Sequence, residues 1–167
     1  MDSESPTAIE IRRLTQASEV EVCARMMASS EPWITLLRDY AESVKTLSIP
    51  SKEVYLAMVN GEIVGFIILN MQGAFSGYIQ TVCVAPEWRN KGIGNRLLAF
   101  AEERILRETP NVFMCVSSFN KDARRLYQRL GYEVVGELKD YLVAGHSEIL
   151  LRKTIAPLAE FAKKSTK

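Results

Sequence analysis

Three consecutive segments in the middle of the chain have the hydrophobic pattern of β-strands. Residues 52–59 and 62–69 are apolar runs rich in β-branched side chains, and Asn60 and Gly61 separate them. An Asn-Gly pair between two such runs is the strongest short-range signal for a β-hairpin. Residues 75–86 follow as a third apolar run that ends in a proline. This part of the chain therefore predicts three strands that pair antiparallel in series.

Apolar side chains recur at helical spacing in four other segments, and short apolar runs mark further strands. The predicted helices cover residues 17–30, residues 31–47 with Pro32 in the first turn, a segment after a Gly-x-Gly stretch that runs to about Arg107, and residues 120–130. On the third of these helices, one apolar stripe comprises Ile93, Leu97, Ala101 and Ile105. The remaining predicted strands cover residues 7–14, 111–118, 132–138 and 147–155.

The order of these elements predicts a mixed α/β fold. Strands joined by hairpins come first, and strands joined through helices follow, which indicates a largely antiparallel central sheet of about seven strands with flanking helices. A parallel crossover is expected near the Gly-x-Gly stretch. We expect one domain over residues 1–167, with a core over about 7–154 and loose ends at residues 1–6 and the last eight positions.

Composition excludes several classes of protein. Lys plus Arg total 21 and Asp plus Glu total 20, so the net charge of +1 gives no basis for binding nucleic acid or an anionic membrane through bulk charge. The three cysteines have no CxxC spacing and predict reduced thiols in a cytoplasmic protein. We expect no membrane span, since no run of 18 apolar residues occurs, and we expect neither a signal peptide nor a metal site.

The stretch "APEWRNKGIGNRLLAF", residues 85–100, combines basic side chains with glycines where a helix begins. Gly92 and Gly94 lack a Cβ, so a ligand can approach the unpaired N–H groups of the first helical turn. Arg89 and Lys91 add positive charge, and together these features are suited to phosphate oxygens. The alternative is a tight turn with solvated basic residues. The pattern is neither a P-loop nor a dinucleotide-binding fingerprint, because Gly-Lys-Ser/Thr and a third glycine are both missing.

Two motifs in this chain resemble those of the GCN5-related N-acetyltransferase (GNAT) superfamily. The stretch "VCVAPEWRNKGIGNRLLAFAEE" is similar to its acyl-CoA-binding signature, with Arg89, Gly92 and Gly94 at the signature positions. The stretch "SSFNKDARRLYQRLGYEVVGE" resembles its second signature. Six residues fill the places of that second signature: Asn120, Ala123, Leu126, Tyr127, Gly131 and Tyr132. With the hairpin before the first motif, the resemblance covers most of residues 7–154.

The resemblance implies acetyl-CoA as the co-substrate and a cleft where the fourth and fifth strands splay apart. In that cleft the pantetheine arm would pair with the main chain of Val82 and Val84, and the pyrophosphate would lie on N–H groups of residues 89–95, assisted by the side chains of Arg89 and Lys91. The implied cofactor-binding residues are Val82, Cys83, Val84, Arg89, Asn90, Lys91, Gly92, Ile93, Gly94, Asn95, Asn120 and Tyr127.

The resemblance also implies direct attack of an amine on the thioester, with Tyr127 as the general acid that protonates the leaving thiolate. A backbone N–H near Val82 or Cys83 would stabilise the oxyanion. The residues themselves leave alternatives open, since Tyr127 lies in an apolar stripe and Asn120 fits the N-cap of its helix. The general base stays unassigned: the fourth strand has no carboxylate, and the candidates are Glu31, Tyr78, Gln80, Tyr141, His146 and bulk water.

The acceptor is the least defined part of the prediction. Trp33, Tyr78, Gln80 and Tyr141 are the candidate acceptor residues, although Trp33 is equally suited to be a hydrophobic plug. A peptide α-amine, a lysine side chain and a small amine all remain open. The competing interpretation is a non-catalytic acyl-CoA-binding or regulatory module on the same fold. The family also leads us to expect a homodimer through the C-terminal strands.

Overall fold

A seven-stranded sheet organises residues 8–164, the part of the chain that the computed structural model describes. The strands are β1 (Glu10–Arg13), β2 (Lys52–Val59), β3 (Glu62–Asn70), β4 (Tyr78–Val84), β5 (Asn111–Ser117), β6 (Glu133–Leu138) and β7 (Glu148–Thr154). Their order in the sheet is β1-β2-β3-β4-β5-β7-β6, and every neighbouring pair is antiparallel except β4 and β5. The predicted mixed, largely antiparallel fold is confirmed.

Helices flank the sheet on both faces. They are α1 (Ala17–Ala28), α2 (Tyr40–Leu47), α3 (Ile93–Leu106), α4 (Lys121–Arg129) and α5 (Leu158–Lys164), with a short 3₁₀ turn over Pro86–Trp88. The predicted stripe of α3 is fully buried and packs with alternate side chains of β2, β3 and β5 in one hydrophobic cluster. The other sheet face packs against α1 and the end of α2 in a second cluster, which includes Cys23, Met27, Leu47 and Phe66.

The parallel strands β4 and β5 separate after two paired positions. Tyr78 pairs with Phe113 and Ile79 pairs with Met114, and the register of the two strands goes no further. On its other edge, β4 stays paired with β3 as far as Val84. A gap therefore opens through the sheet beside the second half of β4, as the family resemblance implies. A bulge at Gln80 precedes this gap, because its two neighbours pair with consecutive residues of β3.

The prediction of one helix over residues 31–47 is wrong. The chain forms turns from residue 31 to residue 37, and α2 begins only at Tyr40. Leu37 has a left-handed φ of 56°, which a continuous helix does not allow. The carboxylate of Asp39 accepts a hydrogen bond from the Glu42 amide at 2.9 Å and caps α2 as a separate helix. Pro32 accordingly lies in a turn and not in a first helical turn.

The described C-terminal segment contains a short surface helix. Residues 160–164 of the predicted loose end belong to this helix, α5, which begins at Leu158. The expectation for residues 1–6 lies outside the described residues. Within residues 8–164, no helix combines the length and the apolar character that crossing a membrane requires.

Candidate functional site

A cleft of about 630 Å³, the first cleft, lies between the end of β4, the start of α3 and helix α4. From β4 it is lined by Val82, Cys83 and Val84, and from the segment that enters α3 by Arg89, Asn90, Gly92, Ile93, Gly94 and Asn95. From α4 and its cap it is lined by Asn120, Asp122, Ala123, Arg125, Leu126, Tyr127 and Arg129. Eleven of the twelve cofactor-binding residues implied by the resemblance therefore surround one cavity, and Lys91 is the exception.

The two glycines of the motif serve different purposes. Gly92 is the N-cap of α3 and has a φ of 83°, a left-handed conformation that side chains disfavour. Gly94 is helical, and a Cβ there would meet only the Val84 side chain, at 3.9 Å. The first helical hydrogen bond runs from the Arg96 amide to the Gly92 carbonyl at 3.1 Å. The amides of the first turn therefore have no acceptor within the helix and face an unobstructed approach at Gly94.

The two basic side chains of the motif are placed differently. Arg89 lines the first cleft, where its Nε donates to the Val84 carbonyl at 3.2 Å and its guanidinium also donates to the Ser30 hydroxyl at 3.3 Å. The Lys91 ammonium instead lies 4.9 Å from the centre of the Trp88 ring, and Lys91 lines a separate surface cavity. This cation–π contact explains why the structure does not bring Lys91 into the first cleft.

The backbone of β4 offers free polar groups to the gap in the sheet. The Ala85 amide donates to Val64 on the β3 side at 2.9 Å. Since the backbone groups of successive residues point to alternate edges of a strand, those of Val82 and Val84 point toward β5. The bond from Arg89 to the Val84 carbonyl fits this direction and occupies one of these groups. The backbone of Val82 is thus directed into the gap, as the resemblance implies.

A second cavity of about 350 Å³ lies on the other side of this gap. It brings together Trp33, Tyr78, Gln80 and Tyr141, the four residues proposed from the sequence to line an acceptor site. The two cavities share six lining residues: Pro32, Trp33, Val82, Asn120, Ala123 and Tyr127. The first cleft and the second cavity therefore meet at Tyr127 and the backbone of β4, across the splayed strands.

Tyr127 lies at this junction, and its surroundings are compatible with both of the roles considered for it. Its ring packs against the hydrophobic cluster on the α3 side, 6.1 Å from the ring of Tyr132. Burial raises the pKa of the Tyr127 phenol, so the hydroxyl carries its proton at neutral pH. The Tyr127 hydroxyl has no hydrogen-bond partner among residues 8–164. Every fully buried side-chain nitrogen or oxygen of these residues has a partner, so the Tyr127 hydroxyl is not fully buried. The Tyr127 hydroxyl is therefore accessible from the cavities and able to donate a proton.

Asn120 also has two roles that are compatible. Its side-chain oxygen accepts a hydrogen bond from the Ala123 amide at 3.3 Å, which makes it the N-cap of α4. The same residue lines both cavities. Asn120 thus fixes the start of the helix that presents Tyr127 to the junction.

The structure adds a buried carboxylate that the sequence reasoning missed. Glu148, the first residue of β7, lines the second cavity with 4% of its surface exposed. It accepts a hydrogen bond from the Ser117 hydroxyl at 2.6 Å. Burial raises the pKa of Glu148, although the bond from Ser117 opposes this shift. A carboxyl group with a raised pKa in a cavity is a candidate proton acceptor.

The other candidates for a general base are less well placed. Glu31 lines the first cleft, and its carboxylate is engaged by the amide and hydroxyl of Thr35 at 3.2 and 3.0 Å. The His146 ring packs against Phe119 and lines neither cavity. Burial raises the pKa of Tyr78, which disfavours a phenolate there. Burial also raises the pKa of Cys83 to about 12, so this thiol is not an activated nucleophile.

The comparison with protein families agrees with this geometry. The family model described as "Acetyltransferase (GNAT) family" matches residues 15–132. This chain therefore belongs to the GNAT acetyltransferase family. It has a splayed sheet, glycines at the start of α3, and two cavities that meet at Tyr127. The resemblance identified from the two sequence motifs is confirmed.

Proteins similar to this chain include two curated enzymes and one enzyme of known structure. An N-alpha-acetyltransferase of Sulfurisphaera tokodaii is 30% identical over 58% of this chain and 66% of its own length. An aminoalkylphosphonate N-acetyltransferase of Salmonella typhimurium is 37% identical over 50% of this chain and 58% of its own length. The crystal structure of an aminoglycoside 6'-N-acetyltransferase complexed with coenzyme A has a TM-score of 0.71 and 20% identity, over 89% of this chain and 98% of that one. The similarity to the aminoglycoside 6'-N-acetyltransferase concerns the fold alone. This chain spans less than two thirds of the length of either curated relative.

Proposed function

We propose that this protein is an N-acetyltransferase that moves an acetyl group from acetyl-CoA to a primary amine by direct attack. The observation that carries the proposal is the meeting of the first cleft and the second cavity at Tyr127, Val82 and Asn120. Two substrates bound in these cavities would reach the same atoms from opposite sides of the sheet. A module that only binds acyl-CoA has no need of the second cavity.

The first cleft is the proposed binding site for acetyl-CoA. The pyrophosphate would lie on the free amides at the start of α3, beside Gly94 and Arg89, where the helix dipole favours anions. The pantetheine arm would extend along β4 and pair with the backbone of Val82. The bound coenzyme A of the structurally similar aminoglycoside 6'-N-acetyltransferase supports this use of the fold.

The chemistry follows from the groups at the junction. The neutral amine nitrogen attacks the thioester carbonyl carbon, and the backbone N–H of Val82 stabilises the oxyanion. The C–S bond then breaks, and the thiolate takes the proton of the Tyr127 hydroxyl. Before the attack, Glu148 takes one proton from the acceptor ammonium group, directly or through water, so that the neutral amine is the nucleophile. The second proton that the nitrogen loses as the amide forms restores the Tyr127 hydroxyl. The products are an N-acetylated amine and coenzyme A.

The acceptor class is a small amine or the α-amine of a peptide. The two curated relatives carry these two activities in their names, N-alpha-acetylation and aminoalkylphosphonate acetylation. Trp33, Tyr78, Gln80 and Tyr141 are proposed to contact this acceptor. We further propose a single cytoplasmic domain and a homodimer through the C-terminal strands, of which β6 is the sheet edge.

The test of this proposal is release of coenzyme A from acetyl-CoA with a panel of primary amines and peptides that carry free α-amines. We expect thiol release that depends on the added amine, and product mass spectra with an acetyl group on nitrogen. Tight binding of acetyl-CoA without turnover on any acceptor would support the alternative binding module.

A further inference from the structure

The second cavity contains two cations, one from β2 and one from the segment before α2. Lys52, at the start of β2, and Arg38, in the segment before α2, both line it. Neither forms an ion pair with a carboxylate of residues 8–164. By contrast, two other partly buried cations are paired: Arg104 with Glu53 at 2.7 Å and Lys153 with Glu102 at 2.9 Å.

Lys52 and Arg38 bring charges of the same sign to one cavity. Burial lowers the pKa of Lys52, and the charge of Arg38 lowers it further. The Lys52 ammonium donates to the Gln80 side-chain oxygen, which is a neutral partner. A partly buried pair of positive groups without a counter-ion costs free energy, and an anion bound between them would recover it.

The negative group of the cavity comes from the other side of β4. Glu148 lies on β7, two strands beyond β4 in the sheet, whereas Lys52 lies on β2, two strands before it. The second cavity thus contains a carboxylate and two cations, contributed from opposite sides of β4.

We propose that the acceptor is a small primary amine that also carries an anionic group, with the anion bound by Lys52 and Arg38 and the amine held near Glu148 and Tyr127. This inference rests on the proposed acetyl transfer. A phosphonate, sulfonate or carboxylate a few bonds from the amine has the required charge pattern. The cavity volume of about 350 Å³ lies at the small end of ligand sites and favours such a molecule over a peptide.

Matched acceptors test the charge requirement. The experiment compares kcat/KM for 2-aminoethylphosphonate, taurine and β-alanine with kcat/KM for propylamine, which has a similar length and no anion. We expect the wild type to prefer at least one anionic amine by about 10-fold or more, since charged hydrogen bonds discriminate on this scale. Equal values for all four amines, or faster acetylation of a peptide α-amine, would overturn the inference.

Variants of the cations make the test specific. Lys52→Met and Arg38→Met should each remove most of the preference for the anionic amines over propylamine. Lys45→Met is the matched control, because Lys45 is exposed on α2 and lines none of the three cavities described. A preference that survives both cation variants, or variants that instead weaken acetyl-CoA binding, would contradict the assignment.

A binding measurement separates this inference from the proposed activity. Ethylphosphonate has the anion without the amine, and its binding to the protein saturated with acetyl-CoA is followed by nuclear magnetic resonance. We expect saturable binding to the wild type and to Lys45→Met, and a loss of about 10-fold or more in affinity for Lys52→Met. If ethylphosphonate binds in this way but no amine is acetylated, the proposed transferase activity is wrong and the anion-binding site is supported. If propylamine is acetylated but ethylphosphonate does not bind, the transferase activity is supported and the proposed anion-binding site is wrong.

Discussion

The Ser117 hydroxyl donates a hydrogen bond of 2.6 Å to the Glu148 carboxylate, and the two residues pair directly across β5 and β7. The β5 residues Val112, Met114 and Val116 pack on the α3 side of the sheet, so Ser117 points to the opposite face, where the second cavity lies. The register of two strands thus holds one oriented carboxylate in a cavity that opens onto Tyr127. Orientation by a neighbouring hydroxyl is what a proton acceptor requires.

Glu148→Gln should slow acetyl transfer. Loss of a positioned general base lowers rates by about 10²–10⁴-fold, so we expect kcat/KM to fall within that range. In the wild type, kcat/KM should rise with pH through a pKa above the ordinary glutamate value, because burial raises the pKa of Glu148 and only the ionised form accepts a proton. The measurement is the pH profile of coenzyme A release, from which this limb should be absent in the variant.

Glu148→Gln should slow the reaction without lowering the stability of the fold at neutral pH. The pKa of Glu148 is higher in the folded state than in the unfolded state. The contribution of Glu148 to stability is therefore present at pH values below the unfolded pKa and is lost as pH rises through the folded pKa. At pH 7 Glu148→Gln should therefore unfold at no lower a urea concentration than the wild type. Exposed Glu137 on β6 provides the control, and Glu137→Gln should change neither rate nor stability. An unchanged kcat/KM for Glu148→Gln would remove Glu148 from the mechanism.

Gly94→Glu should abolish binding of acetyl-CoA and leave the fold intact. Gly94 has helical geometry and open space around its Cβ position, so the substitution adds a negative charge at the proposed pyrophosphate site without a backbone clash. Gly94→Ala is the matched control and should bind with little change. Calorimetric titration with acetyl-CoA measures the effect, and wild-type affinity in Gly94→Glu would refute the placement of the pyrophosphate.

Glu19→Gln should destabilise the fold at neutral pH and not at pH 2. The Glu19 carboxylate accepts from Arg12 at 2.5 Å and from the Thr15 and Gln16 amides at 2.9 and 3.1 Å, which ties β1 to the start of α1. The hydrogen bond from Arg12 is the main cause that lowers the pKa of Glu19 to about 2. A depressed pKa stabilises the fold above the unfolded value, and that stability is lost as pH falls from about 4 toward 2.

Urea unfolding at several pH values measures this loss. We expect the free energy of unfolding to fall by about 1–3 kcal/mol at pH 7 in Glu19→Gln, the usual cost of losing charged hydrogen bonds. Glu21→Gln is the control on the same helix, because Glu21 is exposed and its carboxylate lies 3.9 Å from the Arg25 guanidinium, a distance at which an exposed ion pair contributes little. A destabilisation of Glu19→Gln that is independent of pH would show that the charge is not responsible.

Local signals explain why most of the fold could be predicted. The β2–β3 hairpin follows from Asn60 and Gly61, and both residues take the left-handed φ values, 49° and 81°, that such a turn needs. The prediction of one helix over residues 31–47 was wrong because it rested on the spacing of apolar residues and did not use a capping signal within this segment. Asp39, which precedes Glu42 by three positions, starts a new helix, and the spacing of hydrophobic residues does not register such a break.

The site was most predictable where it lies in contiguous motifs, although the four acceptor residues proposed from outside these motifs also line one cavity. Gly92, Gly94, Asn120 and Tyr127 belong to two stretches that can be recognised along the chain. Glu148, Lys52 and Arg38 come from three separate elements, and only the order of strands in the sheet brings them to one cavity. A charged residue at a strand end is usually solvated, so sequence alone offered no reason to select them. The roles of all these residues stay predictions.

Tyr127 is the residue on which the proposed chemistry depends most. Tyr127→Phe removes only a hydroxyl without a hydrogen-bond partner among residues 8–164, so the fold and the affinity for acetyl-CoA should be unchanged. Tyr132→Phe is the matched control, since Tyr132 lies beside Tyr127, donates its hydroxyl to Glu102 at 2.9 Å and lines neither cavity.

The most direct test of acetyl transfer at the junction is the rate of amine-dependent coenzyme A release by the wild type, Tyr127→Phe and Tyr132→Phe at saturating acetyl-CoA. General acid catalysis predicts that kcat falls by about 10²–10⁴-fold in Tyr127→Phe and stays near the wild-type value in Tyr132→Phe. An equal kcat for the wild type and Tyr127→Phe would contradict the account.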